Sequence, residues 1–183
     1  MKKKVVHSLI IAVFSSVLLA VIVLYRFDIY YFFLRLITPR SQSSENNTLI
    51  KGLHPVFGYK IAKMVKELER DGRNVKLTSG YRSPEKQAQL VASGNTNTQP
   101  LNSYHNYGFA LDMNIDGVKM ASSKASWLNL IGGIYEKYGL RWGGNFSDYD
   151  PVHFDFGNKY KISEIKEMYN NGELVSSKFI KIV

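Results

Sequence analysis

The sequence predicts an α+β fold, with a small antiparallel sheet flanked by helices and preceded by one N-terminal transmembrane helix. Apolar residues make up 45% and aromatic residues 13% of the 183-residue chain, which is enough for a packed core. Helical and strand patterns follow one another without the regular alternation that a parallel sheet requires. The chain also opens with an apolar run long enough to cross a bilayer.

This N-terminal run, from Val5 to Tyr25, is apolar apart from one histidine and three serines. A transmembrane helix needs about 20 such residues. A cleaved signal peptide has a shorter apolar region of about 7–15 residues, followed by a cleavage site of small residues. We therefore expect an uncleaved anchor rather than a cleaved signal. The lysines at positions 2–4 should stay in the cytoplasm, which directs the rest of the chain outward.

The net charge of +9 is concentrated near this anchor. Residues 1–40 contain six basic residues and one acidic residue. The smaller excess that remains is typical of a solvated surface, and the sequence has no basic stripe or recognition motif, so we expect no nucleic-acid partner. The absence of cysteine excludes disulfides and thiolate metal sites, but it does not fix the cellular compartment.

Composition divides the chain into three segments. Residues 1–28 are predicted to form a cytoplasmic tip and the transmembrane anchor. Residues 29–47 contain the aromatic run Tyr30–Phe33, expected at the membrane interface, and then the polar stretch SQSSENN, predicted to be a linker. Residues 48–183 are predicted to form the functional domain.

Within this domain, residue periodicity predicts four helices and four strands. The helices are predicted at 58–71, 84–92, 127–138 and 162–169. The strands are predicted at 75–79, 109–115, 140–142 and 152–156, and residues 93–102 are predicted to form a loop.

Two of these strands each carry an ionisable residue on the face opposite their apolar residues. In FALDMNI (109–115) Asp112 points away from the apolar face, and in VHFDF (152–156) His153 does the same. If the strands are neighbours, these two side chains share one face. Gly108 can bend the chain so that His105 lies over that face as well.

Two imidazoles and one carboxylate form a ligand set that leaves one coordination position open, as in catalytic zinc sites. Nitrogen ligands argue against magnesium or calcium. Taken singly, a histidine or aspartate in a strand is more often an ordinary surface residue. The joint spacing supports a metal site and a surface position about equally, because His-x₆-Asp is a less specific signal than HExxH.

Three blocks of sequence resemble a known family. They are SGYRSPEKQ (79–87), SYHNYGFALD (103–112) and RWGGNFSDYDPVHFDF (141–156), and LHPVFGYKIAKMVKELERDG (53–72) resembles the helix that opens the same domain. The family comprises the VanY-type zinc D-alanyl-D-alanine carboxypeptidases and the related L-alanyl-D-glutamate endopeptidases of peptidoglycan. The resemblance covers roughly residues 50–157 and implies a zinc DD-peptidase, or hedgehog-like, fold.

The resemblance also implies site roles. The zinc ligands would be His105, Asp112 and His153; the catalytic acid would be Asp150; and the arginine that binds substrate and transition state would be Arg82. Further candidates for supporting the site or contacting substrate are Gln87, Ser103 and Tyr104.

One motif of the third block favours the endopeptidase branch of the family, namely Trp142-Gly143-Gly144. Phe146 stands where many endopeptidases have tryptophan, and the loop at 93–102 is short. Both departures bear on which peptide is accepted.

The expected function is a Zn²⁺-dependent peptidase, anchored in the bacterial cytoplasmic membrane with its domain outside, that cuts peptidoglycan peptides. One alternative is a D-Ala-D-Ala carboxypeptidase. Another is a non-catalytic module that binds cell-wall peptide or metal, although the presence of Asp150 and Arg82 argues against it. A basic nucleic-acid-binding protein is the weakest alternative.

Overall fold

A long N-terminal helix, α1 (Lys2–Ile37), leads into the domain in the computed structural model, which describes residues 2–175 and 179–180. Its segment Val13–Ile37 is long and apolar enough to cross a membrane. Most side chains of this segment are exposed, but Tyr31 and Leu34 are buried against the domain. The helix therefore continues beyond the predicted end of the apolar run at Tyr25, and its last turns pack on the domain.

The domain contains six further helices in the described part of the chain. They are α2 (Ser44–Gly52), α3 (Pro55–Arg70), α4 (Pro84–Ala92), α5 (Lys124–Ile131), α6 (Ile134–Lys137) and α7 (Ile162–Asn170). Short 3₁₀ helices lie at Tyr104–Tyr107 and Gly143–Asn145. The strands are β1 (Val75–Ser79), β2 (Ala110–Ile115), β3 (Arg141–Trp142), β4 (His153–Asp155), β5 (Leu174–Val175) and β6 (Phe179–Ile180).

Four strands form an antiparallel sheet in the order β1-β2-β4-β3, and β5 and β6 form a separate two-stranded sheet. On β2, Leu111, Met113 and Ile115 are fully buried and belong to one hydrophobic core with the apolar face of α3. The opposite face of β2 carries Asp112, which is only partly buried. The predicted α+β fold with a small antiparallel sheet is confirmed.

The polar stretch at 41–47 is not the linker that composition predicted. Ser43 caps α2, with its hydroxyl accepting the Asn46 N–H. Asn46 is buried, and its side-chain amide bonds to the backbone of β1 at Val75 and Leu77. These polar groups complete the edge of the sheet, which would otherwise present unpaired backbone groups. The predicted boundary at residue 48 falls inside α2.

The helix predicted at 127–138 is also different, because it is divided into α5 and α6. Gly132 has a φ of 48° and Gly133 separates the two helices. A positive φ ends a right-handed helix and favours glycine, which explains the break. The antiparallel pairing of β5 with β6 was not predicted from the sequence.

Candidate metal centre

Three predicted ligand residues meet at one point beside the sheet. His105, Asp112 and His153 each offer a ligand atom, and these atoms all lie within 4.8 Å of one another. Asp112 on β2 and His153 on β4 are directly opposed in the antiparallel register. His105 comes from the 3₁₀ helix that precedes β2, and it is buried. The sheet thus positions two of the side chains, and the turn before it positions the third.

Gly108 makes this turn possible. Its φ is 71°, and a Cβ atom at this position would collide with the backbone nitrogen of His54. The amide of His54 donates to the carbonyl of Gly108 over 3.0 Å. The chain can therefore reverse from His105 into β2 only with glycine at this position.

For each histidine, a hydrogen-bond acceptor outside the cluster favours the tautomer that is protonated on the nitrogen facing that acceptor. The Nδ1 of His105 lies 2.7 Å from the carbonyl oxygen of Gly80, and the Nε2 of His153 lies 3.2 Å from Oδ2 of Asp155. If these nitrogens carry the protons, Nε2 of His105 and Nδ1 of His153 present lone pairs to the cluster. These two nitrogens lie 3.3 Å and 3.1 Å from Oδ1 of Asp112. Metal-binding histidines are commonly oriented in this way.

Asp155 was not predicted as part of the site, although it shares the strand face of His153. Its buried carboxylate accepts two hydrogen bonds of 2.7 Å from the guanidinium of Arg141. That guanidinium lies over the rings of Tyr104 and Phe146, at 5.3 Å and 4.8 Å from their centroids. Asp155, fixed by Arg141, therefore orients the ring of His153 through the nitrogen that faces away from the cluster.

The electrostatics of the cluster favour a positive charge. Burial lowers the pKa of His153, but hydrogen bonds to Asp112 and Asp155 outweigh burial and raise it to about 9. Burial raises the pKa of Asp112, yet its bonds to the two histidines bring that pKa below its usual value. The groups that stabilise a proton on His153 would also stabilise a divalent cation. The donor set and its charge therefore fit a metal ion.

Asp150 lies in the turn before β4, next to this cluster. Burial raises the pKa of its carboxyl group, and the charges of His153, Asp112 and His105 also act on it. Its Oδ1 is the one buried side-chain oxygen or nitrogen without a hydrogen-bond partner in the described part of the chain. An unpartnered buried carboxylate oxygen is costly, and a functional role is a common reason for it.

The two glycines of the Trp-Gly-Gly motif form a close-packed support for this turn. The amide of Asp150 donates to the carbonyl of Gly143 over 3.0 Å, and a Cβ on Gly143 would collide with the Asp150 backbone. A Cβ on Gly144 would collide with the indole of Trp142. That indole donates to the carbonyl of Pro151 over 2.7 Å. The motif therefore fixes the segment that carries Asp150.

Arg82 is tied to the same site through backbone and side-chain bonds. Its amide donates to the carbonyl of His105 over 3.0 Å. Its guanidinium donates to Gln87 over 3.0 Å and to Ser79 over 3.2 Å. Gln87 is fully buried and donates in turn to the carbonyl of Thr98 over 2.6 Å. The short loop at 93–102 thus supports the arginine.

Ser103 and Tyr104 support the site from the side of the 3₁₀ helix. The hydroxyl of Ser103 accepts the amide of His105 over 3.3 Å. The hydroxyl of Tyr104 donates to the carbonyl of Tyr160 over 2.8 Å, while its ring lies under Arg141. Both contacts position the residues around His105 and His153.

Comparison with known proteins agrees with this geometry. A sequence profile described as D-alanyl-D-alanine carboxypeptidase matches residues 96–156, which include the three clustered residues and Asp150. The peptidoglycan L-alanyl-D-glutamate endopeptidase CwlK of Bacillus subtilis (strain 168) is 29% identical over 120 residues, covering 53% of this chain and 70% of CwlK. In sequence, this chain is similar to these peptidoglycan peptidases. The predicted family resemblance is therefore confirmed.

Two peptidases are among the solved structures similar to this chain. The L-Ala D-Glu endopeptidase ChiX of Serratia marcescens superposes with a TM-score of 0.50 and 21% identity, over 65% of this chain and 91% of ChiX. A mutant of the D,D-pentapeptidase VanY from a VanB-type resistance cassette, solved in complex with Zn(II), has a TM-score of 0.42 and 22% identity, over 63% of this chain and 78% of VanY. The likeness to ChiX shows that the two proteins share a fold.

Proposed function

We propose that this chain is a zinc-dependent peptidase that hydrolyses peptidoglycan stem peptides at an L-Ala-D-Glu type of bond. The observation that carries the proposal is the meeting of His105, Asp112 and His153 beside the half-buried carboxyl of Asp150, whose Oδ1 is buried. Two of the proteins similar to this chain are named as L-alanyl-D-glutamate endopeptidases.

His105, Asp112 and His153 would hold the metal. When bound, zinc would polarise a carbonyl and lower the pKa of water towards about 7. The chain supplies two neutral nitrogens and one carboxylate oxygen, with the outer nitrogen of each histidine fixed by Gly80 or Asp155. This arrangement orients both rings before a metal arrives.

Asp150 is proposed as the general base and acid. Its raised pKa makes it a stronger base than an exposed aspartate. In hydrolysis the carboxylate takes one proton from the attacking water and returns it to the nitrogen of the leaving amine. The oxygen of the water adds to the carbonyl carbon, and the C–N bond breaks.

Arg82 is proposed to bind negative charge. Its guanidinium is bonded to the neutral groups of Gln87 and Ser79, and among the described residues no carboxylate lies within 4.0 Å of it. Its charge is therefore available to a substrate carboxylate or to charge developing on the scissile carbonyl oxygen.

A carboxypeptidase acting on terminal D-Ala is the second candidate, because the matching sequence profile carries that description. The experiment that separates the two is incubation of the full chain, in detergent with zinc, with purified muropeptides. Mass spectrometry of the products identifies the bond. Release of a single D-Ala indicates a carboxypeptidase, and release of a peptide that begins with D-Glu, with L-Ala left on the sugar, indicates an endopeptidase. Unchanged muropeptides would favour a non-catalytic binding module.

We also infer that α1 anchors the chain in the bacterial cytoplasmic membrane with the domain outside. The length and composition of α1 support this, as do the three lysines at its start. The mature protein should begin at its first residues, and a C-terminal tag should be labelled only from outside the cytoplasm. A mature N-terminus beyond residue 20 would indicate a cleaved signal instead.

A further inference from the structure

We propose that α1 and the domain form one rigid unit that holds the candidate active site beside the bilayer, so that its substrates are stem peptides tethered to the same membrane. This inference rests on the proposed peptidase function. It adds a substrate class, namely membrane-attached peptides rather than peptides held at a distance in the wall.

The end of α1 is part of the core of the domain. Tyr31 and Leu34 are buried, and the ring of Tyr31 lies 5.1 Å from the ring of His54. His54 in turn stacks on Phe109 at 4.5 Å, directly before β2. The membrane helix is therefore connected by packed side chains to the strand that carries Asp112.

The segment that follows α1 is held by a second attachment. The backbone amide of Gln42 donates to both carboxylate oxygens of Glu69, at 3.0 Å and 3.1 Å, and the hydroxyl of Ser41 donates to the same carboxylate. Glu69 lies on α3 and is buried. Next along the chain, Asn46 pairs with β1. The connection between helix and sheet is thus bonded to the domain on both sides of Ser43.

The outer face of the last turns of α1 carries large apolar side chains, while Arg26, Asp28 and Arg35 are the exposed charged residues of the same part of the helix. Phe32, Phe33, Leu36 and Ile37 are between 57% and 64% exposed, on the same helix turns that bury Tyr31 and Leu34. This face continues the apolar surface of the segment Val13–Ile37. Lipid that covers the upstream part of the helix would therefore extend along it to the point where the domain begins.

Charged groups beside this face fit the surface of a bilayer. A cleft of about 870 Å³ lies between α1 and the domain, and its lining includes Phe32, Arg35, Lys51 and one carboxylate, Asp28. The guanidinium of Arg35 lies 5.9 Å from the ring centre of Phe179. Aromatic and basic side chains together are typical of the zone of lipid head groups.

The size of the domain limits the distance between the candidate active site and the bilayer. A folded domain of about 145 residues has a radius of gyration of about 15 Å, and hence a diameter of about 40 Å. With α1 packed on the domain, the candidate active site lies within about that distance of the bilayer. Peptides attached to the same membrane are within reach, whereas peptides held further away are not.

The test compares one stem peptide in three forms with the full chain in zinc-containing vesicles. The peptide is free, or attached to lipid through a short polyproline spacer of about 15 Å, or attached through a long one of about 90 Å. The matched variant carries a Gly/Ser linker of about 30 residues between Pro39 and Arg40, together with Tyr31→Ala to detach α1. We expect the wild-type chain to cleave the short-spacer peptide at least about fivefold faster than the long-spacer one.

The variant with the linker and Tyr31→Ala, here called the released variant, should cleave both tethered peptides at similar rates. It should cleave the free peptide at the wild-type rate. Equal rates on the two spacers with the wild-type chain would overturn the inference, whether or not the released variant folds. Failure of both proteins to cleave the free peptide would instead refute the proposed peptidase function, and the inference with it.

Discussion

Asp112 on β2 and His153 on β4 are directly opposed in the antiparallel sheet, and their side chains meet with Oδ1 and Nδ1 3.1 Å apart. Cross-strand neighbours on one face of a sheet are separated by a nearly fixed distance. The sheet therefore sets the separation of this pair, which needs only His105 from the preceding turn to complete a three-residue set.

Removal of one member of this set should abolish metal binding. His153→Ala should reduce bound zinc from about one ion per chain to near zero, because a two-ligand site is left. Asn114→Ala is a matched control, since Asn114 follows Asp112 on the same face of β2 and should leave zinc content unchanged. Zinc retained in full by His153→Ala would contradict the assignment.

Asp155 should act as a positioning residue for the metal. Asp155→Asn weakens both the acceptor for Nε2 of His153 and the ion pair with Arg141, so zinc affinity should fall by about 10–100-fold. Competition with a chelator measures the affinity without reference to activity. Asp148→Asn, at an exposed position, should have no effect. Equal affinities for Asp155→Asn and the wild-type chain would remove Asp155 from this role.

Gly143 should tolerate no side chain. Gly143→Ala places a Cβ against the backbone of Asp150, so the turn must shift. We expect a loss of about 1–3 kcal/mol in unfolding free energy, typical of overpacking, with a lower kcat. Gly133→Ala is the control, because its Cβ would contact only the end of the Glu136 side chain. Denaturant unfolding of both variants tests the difference, and equal stabilities would show that the turn can adapt.

Asp150 should give a distinctive pH dependence. In the metal-free chain, burial raises its pKa above the ordinary 3.8. A raised carboxyl pKa means that the folded state holds this proton more tightly than the unfolded state does. Its stabilising contribution is therefore present at low pH and is lost as the pH rises through the folded-state pKa.

The raised pKa of Asp150 also leads to a prediction for the thermal stability of the protein. In the metal-free protein at neutral pH, Asp150→Asn should have a Tm equal to or above that of the wild-type chain, because a buried charge is replaced by a neutral group of equal size. Thermal unfolding in chelator measures this. A lower Tm for Asp150→Asn would show that the carboxylate stabilises the fold.

Periodicity predicted the four strands of the main sheet and most helices, because alternation and helical spacing are local properties of the sequence. The shared face of Asp112 and His153 also followed from alternation. The role of residues 41–47 did not, because Ser41 and Asn46 read as solvated until Glu69 and β1 are placed beside them. Asp155 was missed for the same reason, since its partner Arg141 comes from another strand.

The most direct test of the central claim is the kcat of Asp150→Asn on muropeptides, measured together with its zinc content. General acid–base catalysis contributes roughly 10²–10⁴-fold, so we predict a loss of at least about a hundredfold with zinc fully retained. A kcat within a few-fold of the wild-type value, with zinc intact, would contradict the account, because Asp150 would then be only a turn residue before proline.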